Sequence, residues 1–163
     1  MPLRLPAANG DLSALTSLLS KGHDPNRHYG RLTPLHLASA SGHSDCAGLL
    51  LDEGADHADD EHLNTPLHWA AAGGHCSVIR ELMAAGSPVN HTNWAGATPF
   101  ALAAAGGHAG AVALLSACGA DPLIATIAGE EPLTLARASG SKSAVGAVLS
   151  AIASWRGGTR LAA

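Results

Sequence analysis

Ten histidines, thirteen carboxylates and three cysteines are the side chains of this chain with the chemistry to bind a metal or move a proton. Zinc needs ligands at close, recognisable spacing, and the sequence has neither an HExxH helix nor paired CxxC elements. Cys46, Cys76 and Cys118 stand apart, and an odd number of thiols without CxxC pairing argues against a disulfide framework. Reduced thiols fit a cytoplasmic or nuclear setting. Residues 52–62, Asp-Glu-Gly-Ala-Asp-His-Ala-Asp-Asp-Glu-His, hold six of the thirteen acids. This segment admits a cation site, a finger facing a basic partner, or a solvated loop, and it lacks the glycine-centred spacing of an EF-hand.

Signatures of nucleophilic catalysis fail one by one. There is no GxSxG elbow, and Ser139-Gly-Ser-Lys142 matches SxxK without its companion motifs. Gly140-Ser-Lys142-Ser143 is similar to the end of a phosphate loop but lacks the Gly-Lys adjacency and a preceding strand. The expectation is no enzymatic activity, no catalytic residues, no cofactor and no metal.

The elements that carry these side chains are periodic. Thr33-Pro34-Leu35-His36 returns as Thr65-Pro66-Leu67-His68, as Thr98-Pro99-Phe100-Ala101 and, more faintly, as Glu131-Pro132-Leu133-Thr134, at offsets of 32, 33 and 33. Self-similarity at such a period means stacked repeats. Gly10, Gly42, Gly74, Gly107 and Gly140 keep the same beat, and Gly22, Gly54, Gly86 and Gly119 each follow twelve residues after the first four. Within a unit, Thr is placed to cap a short helix whose first residue is Pro, where the missing N–H removes no bond. The glycine can then take the left-handed conformation that ends it. Val78, Ile79, Leu82 and Met83 make one apolar stripe of a second helix. Turn formers such as Gly22-His-Asp-Pro-Asn26 and Gly119-Ala-Asp-Pro122 lead by a loop or hairpin to the next unit. Each unit therefore reads helix–turn–helix–loop.

Bulk composition agrees. Apolar residues are 47% but aromatics only 3%, so alanine and leucine must fill the core. The formal charge of −4, with Lys and Arg scattered, argues against nucleic-acid binding. No Asp, Glu, Lys or Arg occurs between Leu82 and Ala120, yet prolines, glycine pairs and histidines interrupt that stretch in phase with the repeat, so no membrane span is expected.

The hexapeptides Thr-Pro-Leu-His-Leu-Ala (33–38) and Thr-Pro-Leu-His-Trp-Ala (65–70), with Ala-Gly-Gly-His (72–75, 105–108) and Gly-Ala-Asp (54–56, 119–121), resemble the ankyrin repeat. The resemblance covers nearly the whole chain. It implies an all-α solenoid of five units forming one domain over 1–163, with repeats at 1–32, 33–64, 65–97, 98–130 and 131–163. The first unit, lacking Thr-Pro, is expected to be an abbreviated cap, and the last is atypical too, as terminal repeats are. In the family, the Thr and His side chains hydrogen-bond turns within and between repeats. Leu63 stands where the loop glycine belongs, so distortion or exposure is expected there; Ala101 cannot make the histidine's bond, so the stack should be weaker at the fourth unit.

What the resemblance implies about function is a monomeric, non-catalytic adaptor or scaffold that binds a protein through the concave face and hairpin loop tips. The implied partner-binding residues are Tyr29, Leu32, Glu61, His62, Asn64, Trp69, Trp94, Ala97, Ile127 and Glu130. Trp94 lies four residues before Thr98, at the family's loop tip, and Tyr29 and Glu61 hold the matching positions; Trp69 fills the slot after Leu-His, partly exposed on the concave side. Trp155 follows the last apolar stripe and is expected to close the C-terminal core. Two other readings remain: an inhibitory or regulatory subunit of an enzyme such as a protein kinase, and a recognition fragment of a larger protein.

Overall fold

The computed structural model describes residues 2–161, with side chains as far as 158. Among the described residues the chain forms ten α-helices and no strand. They fall into five pairs: α1 (Arg4–Asn9) with α2 (Leu12–Leu19), α3 (Pro34–Ser41) with α4 (Ser44–Asp52), α5 (Pro66–Ala72) with α6 (Cys76–Ala84), α7 (Pro99–Ala105) with α8 (Ala109–Ala117), and α9 (Pro132–Ala138) with α10 (Lys142–Leu161). First helices pack on first helices and second on second along the row, so each pair touches mainly its neighbours. That is a solenoid of stacked helix–turn–helix units.

Local chemistry starts and stops the helices as the repeat requires. Thr33 stands in extended conformation before Pro34 and its hydroxyl accepts the His36 N–H at 3.4 Å; Thr98 does the same for Ala101 at 3.2 Å. Gly42 ends α3 at φ 79. A side chain at Gly42, Gly74 or Gly10 would also run into the histidine ring of the next unit: an added Cβ would lie 2.6 Å from His75, His108 or His43. The glycine therefore serves two ends, a left-handed turn and room for the neighbour's ring.

The core runs unbroken along the row. Leu35, Leu67 and Phe100 from the first helices and Leu50, Leu82 and Leu115 from the second are fully buried. Each contributes about 1.5–3 kcal/mol by leaving water. Alanines at 38, 70, 71, 103, 104 and 111 fill the space between, which lets the helices approach closely. The N-terminal unit is less abbreviated than its sequence implies: α1 is a real, six-residue helix, anchored by buried Leu3 and Ala7 although no side chain caps it. Trp155 is not buried over the C-terminal core. It lines a groove of about 760 Å³ between α8 and α10, while Ala144, Val148 and Ala151 close the core beneath.

Polar groups stitch the units at three levels. His43, His75 and His108 each direct Nε2 to a carbonyl of the preceding first helix, at Ala8, Ala40 and Ala72, within 2.9–3.1 Å. Ser141, which replaces histidine in the last unit, keeps the stitch by donating to the Gly107 carbonyl at 3.1 Å. At the loop bases, Asn26 spans Gly54 and Asp56, and Asn90 spans Gly119 and Asp121. The third level, His36 and His68, belongs to the surface described next.

Candidate interaction surface

Between successive pairs the chain runs out into a finger that returns just before the next N-cap. Three fingers share one design. Asp60 N–H donates to Asn64 O, Asn93 N–H to Ala97 O and Thr126 N–H to Glu130 O, each at 2.9–3.0 Å. The side chain of that same first residue accepts inside the turn: Asp60 Oδ1 from His62 and Asn64 N–H, Asn93 Oδ1 from Ala95 and Ala97 N–H, Thr126 Oγ1 from Glu130 N–H. Short polar side chains bond their own backbone a few residues on, which is why Asp, Asn and Thr recur here. The residue before the last takes a left-handed φ: 71 at Gly96, 78 at Gly129 and 59 at Leu63. The expected distortion at Leu63 is thus absent. The turn keeps its shape, leucine bears a conformation that disfavours it, and its side chain stands 39% exposed.

The first finger is one residue shorter. Its pairing joins Tyr29 N–H to Leu32 O at 2.8 Å across Gly30-Arg31. Tyr29 consequently sits at the base of its turn, in the role of Asp60 and Asn93, and not at a tip matching Trp94. Its hydroxyl accepts the Leu3 N–H at 3.1 Å and its ring packs on the core, so it braces α1.

Fingers also bond to one another. Trp94 N–H donates to His62 O at 3.0 Å, Ile127 N–H to Ala95 O at 2.8 Å, and Asn93 Nδ2 to Asn64 Oδ1 at 2.9 Å. Fixed in this way, Trp94 remains 62% exposed and Ile127 79% exposed, with the His62 ring set edge-on to Trp94 at 5.3 Å between centroids. An exposed apolar side chain carried on a hydrogen-bonded backbone is the kind of anchor interfaces use.

Five of the expected residues, Tyr29, Leu32, Glu61, His62 and Trp69, converge with Asp60 and Arg31 on one groove of about 440 Å³ between the first two fingers. Glu61 pairs with Arg31 at 3.1 Å, and the Trp69 indole N–H donates to Asp60 Oδ2 at 3.0 Å. Trp94 and Ile127 lie beyond this groove, on the tips of the third and fourth fingers. Glu130 is exposed. Asn64 is half-buried, held between Asp60 and Asn93. Ala97 has only 5% of its surface exposed, its N–H taken by Asn93 and its carbonyl by His68, so it supports the finger from within.

Asp60, which sequence reasoning passed over as one acid among six, organises the second finger by accepting from His62, Asn64 and Trp69. Burial alone would raise its pKa, but hydrogen bonds from Asn64, His62 and Trp69 outweigh it and hold the carboxyl below its usual value. Asp60, Asn93 and Thr126 recur every 33 residues, five before the N-cap, so a signal was present in the register.

Beneath the fingers, His36 and His68 join each finger to its helix pair. The His68 Nδ1 accepts from Thr65 N–H at 3.1 Å, and Nε2 donates to Ala97 O at 3.1 Å; His36 repeats this with Thr33 and Asn64 O. Burial lowers both pKa values, that of His68 to about 4, so both rings stay neutral donors and acceptors. They are structural, and no group of three or more His, Cys, Asp or Glu suited to a metal occurs among the described residues.

One pair has the outline of a nucleophile and its base: Ser87 Oγ lies 2.8 Å from His57 Nδ1, whose Nε2 donates to Ala85 O. Ser87 is buried, and the pair occupies the loop-base position that Asn26 and Asn90 hold elsewhere, so its geometry is that of another inter-unit stitch. The Cys46 thiol is buried and its pKa raised by burial and by the carboxylates of Asp45 and Asp11, which removes it as a nucleophile. The SxxK-like Ser139 caps the end of α9 by donating to Ala136 O at 2.7 Å. No helix among the described residues is long and apolar enough to cross a membrane.

The family model described as ankyrin repeats (3 copies) matches residues 3–93, more than half of the chain. A search of curated proteins found no match.

Proposed function

We propose, because the chain belongs to the ankyrin-repeat family, that it is a non-catalytic module which captures a protein partner on its finger tips and concave face. Ankyrin repeats are in general protein–protein interaction modules, and the family is typically non-catalytic. In this reading residues 1–163 act as one recognition domain and work as a monomer in the cytoplasm or nucleus. The observation that carries it is Trp94, exposed over most of its surface on a finger whose backbone is tied by the Trp94 N–H to the His62 carbonyl, with the His62 ring edge-on to the indole. Such pre-ordering lowers the entropy lost when a partner docks.

Trp69, Glu61 and His62 line the groove beside it, and Ile127 extends the apolar tip line. Tyr29 contributes more to the first unit than to the partner, since its hydroxyl is already engaged. The test is capture of binding proteins by the wild-type chain and by Trp94→Ala and Ile127→Ala, with melting temperature measured in parallel. Loss of an exposed anchor should weaken capture about tenfold or more while the melting temperature hardly moves. Equal capture by the variants would remove the finger tips from the interface.

A further inference from the structure

The finger face has an uneven distribution of charge. Between Leu32 and Arg137 the only Lys or Arg is Arg80, and it lies on α6, a second helix, away from the fingers. Over the same stretch the carboxylates include Glu61 on the second finger and Glu130 with Glu131 at the root of the fourth. Glu131 occupies the N-cap register that Thr33, Thr65 and Thr98 fill in other units. Those threonines are buried, whereas Glu131 is exposed and makes no cap bond. Among the described residues no ion pair engages Glu130 or Glu131. The Arg31–Glu61 pair is open to solvent on both sides, so an incoming guanidinium can compete with it readily.

Between these two acidic ends stands an apolar line: Leu63, Trp94 and Ile127, all exposed, on fingers tied to each other by backbone hydrogen bonds. With helices stacked roughly 8–10 Å apart, the second and fourth fingers are separated by roughly 20 Å. An extended chain covers that distance in about six residues.

We propose that the partner of this face presents a cationic segment with an apolar centre: an extended stretch whose Arg or Lys residues, about six apart, meet Glu61 at one end and Glu130/Glu131 at the other, while an aliphatic or aromatic residue between them packs on Trp94 and Ile127. The proposal rests on the finger tips being the interaction surface. A nucleic acid is disfavoured by the same charges, since its phosphates would face these carboxylates, and Arg31, the cation on the first finger, is already paired with Glu61.

The experiment is selection of a random peptide library, each peptide long enough to span the fingers at about ten residues, on the wild-type chain. The strongest peptide is then titrated against wild type, Glu130→Gln/Glu131→Gln and Trp94→Ala/Ile127→Ala, with circular dichroism confirming that each variant is folded. Enriched peptides should be net positive with an apolar centre, and should bind about tenfold more weakly to either double variant and more weakly as salt is raised. Neutral or acidic winners that still depend on Trp94 and Ile127 would overturn the cationic assignment and leave the interaction surface standing. Winners indifferent to Trp94 and Ile127 would overturn both. No enrichment, or binding of single- or double-stranded DNA to this face in preference to any peptide, would also overturn it.

Discussion

Acidification should unfold this chain through its buried histidines before its carboxylates matter. His68 is fully buried, neutral, and bonded through both ring nitrogens, with its pKa lowered to about 4. In the unfolded chain the same ring titrates near 6.5. Because the folded value lies below the unfolded one, the unfolded state binds the proton first as pH falls. The stabilisation is therefore complete above about pH 6.5 and drains away between there and about 4. The gap of about 2.5 units corresponds to about 3 kcal/mol, and near pH 5.2 the slope should be about 1.2 kcal/mol per pH unit. His36 shifts in the same direction and adds to the loss. Asp60, whose pKa is lowered, acts in a separate window: its contribution holds above about 3.9 and fades only below it. Chemical denaturation of wild type and His68→Gln at several pH values between 7.5 and 4.5 reads this directly. The variant should lose about 1–3 kcal/mol at pH 7, since the buried Thr65 N–H loses its acceptor and the Ala97 carbonyl keeps only the bond from Asn93 N–H, and its pH slope should be shallower by about one proton. An identical slope in the two proteins, or an NMR titration placing His68 at or above the unfolded value, would refute the reasoning.

Three further outcomes check other parts of the structure. Gly74→Ala places a Cβ 2.6 Å from the His108 ring at φ 69, and should destabilise by about 2–3 kcal/mol in urea unfolding; Gly86→Ala meets nothing within 4 Å and should lose only about 1 kcal/mol for its left-handed backbone. Leu63→Gly relieves a left-handed leucine and should stabilise by about 0.5–1 kcal/mol, measured by the denaturation midpoint. Ala101 leaves the fourth unit without the ring that His36 and His68 use to hold the next finger, so hydrogen exchange should show residues 131–152 opening before α3–α6; uniform protection through that stretch would contradict it.

Much of the architecture was legible because each signal is local. Thr-Pro before a short apolar run starts a helix by chemistry confined to four residues, and a left-handed glycine stops it within a turn. The role of His36 and His68 as stitching, implied by resemblance, has its geometry in the bonds to Asn64 O and Ala97 O. Less could be read of the surface. Aligning Tyr29 with Trp94 counted back from the N-cap, but the first finger closes over one residue fewer, which moves Tyr29 from tip to base. Ala97 seemed a surface residue by register, yet the fold buries it behind its own finger. The final helix continues for twenty residues through Gly157-Gly158, beyond where the repeat's second helix should end.

By itself the sequence determined the period, the all-α stack, and the helix starts and turns, since backbone preference and apolar spacing act over a few neighbouring residues. Only the tertiary structure decided which polar groups meet across units. Asp60 gathers His62, Asn64 and Trp69, Ser141 takes over from histidine, and Trp94 is locked by a carbonyl 32 residues earlier in the chain. Such bonds depend on the position of one finger relative to the next, and that position is set by helix packing in the stack beneath.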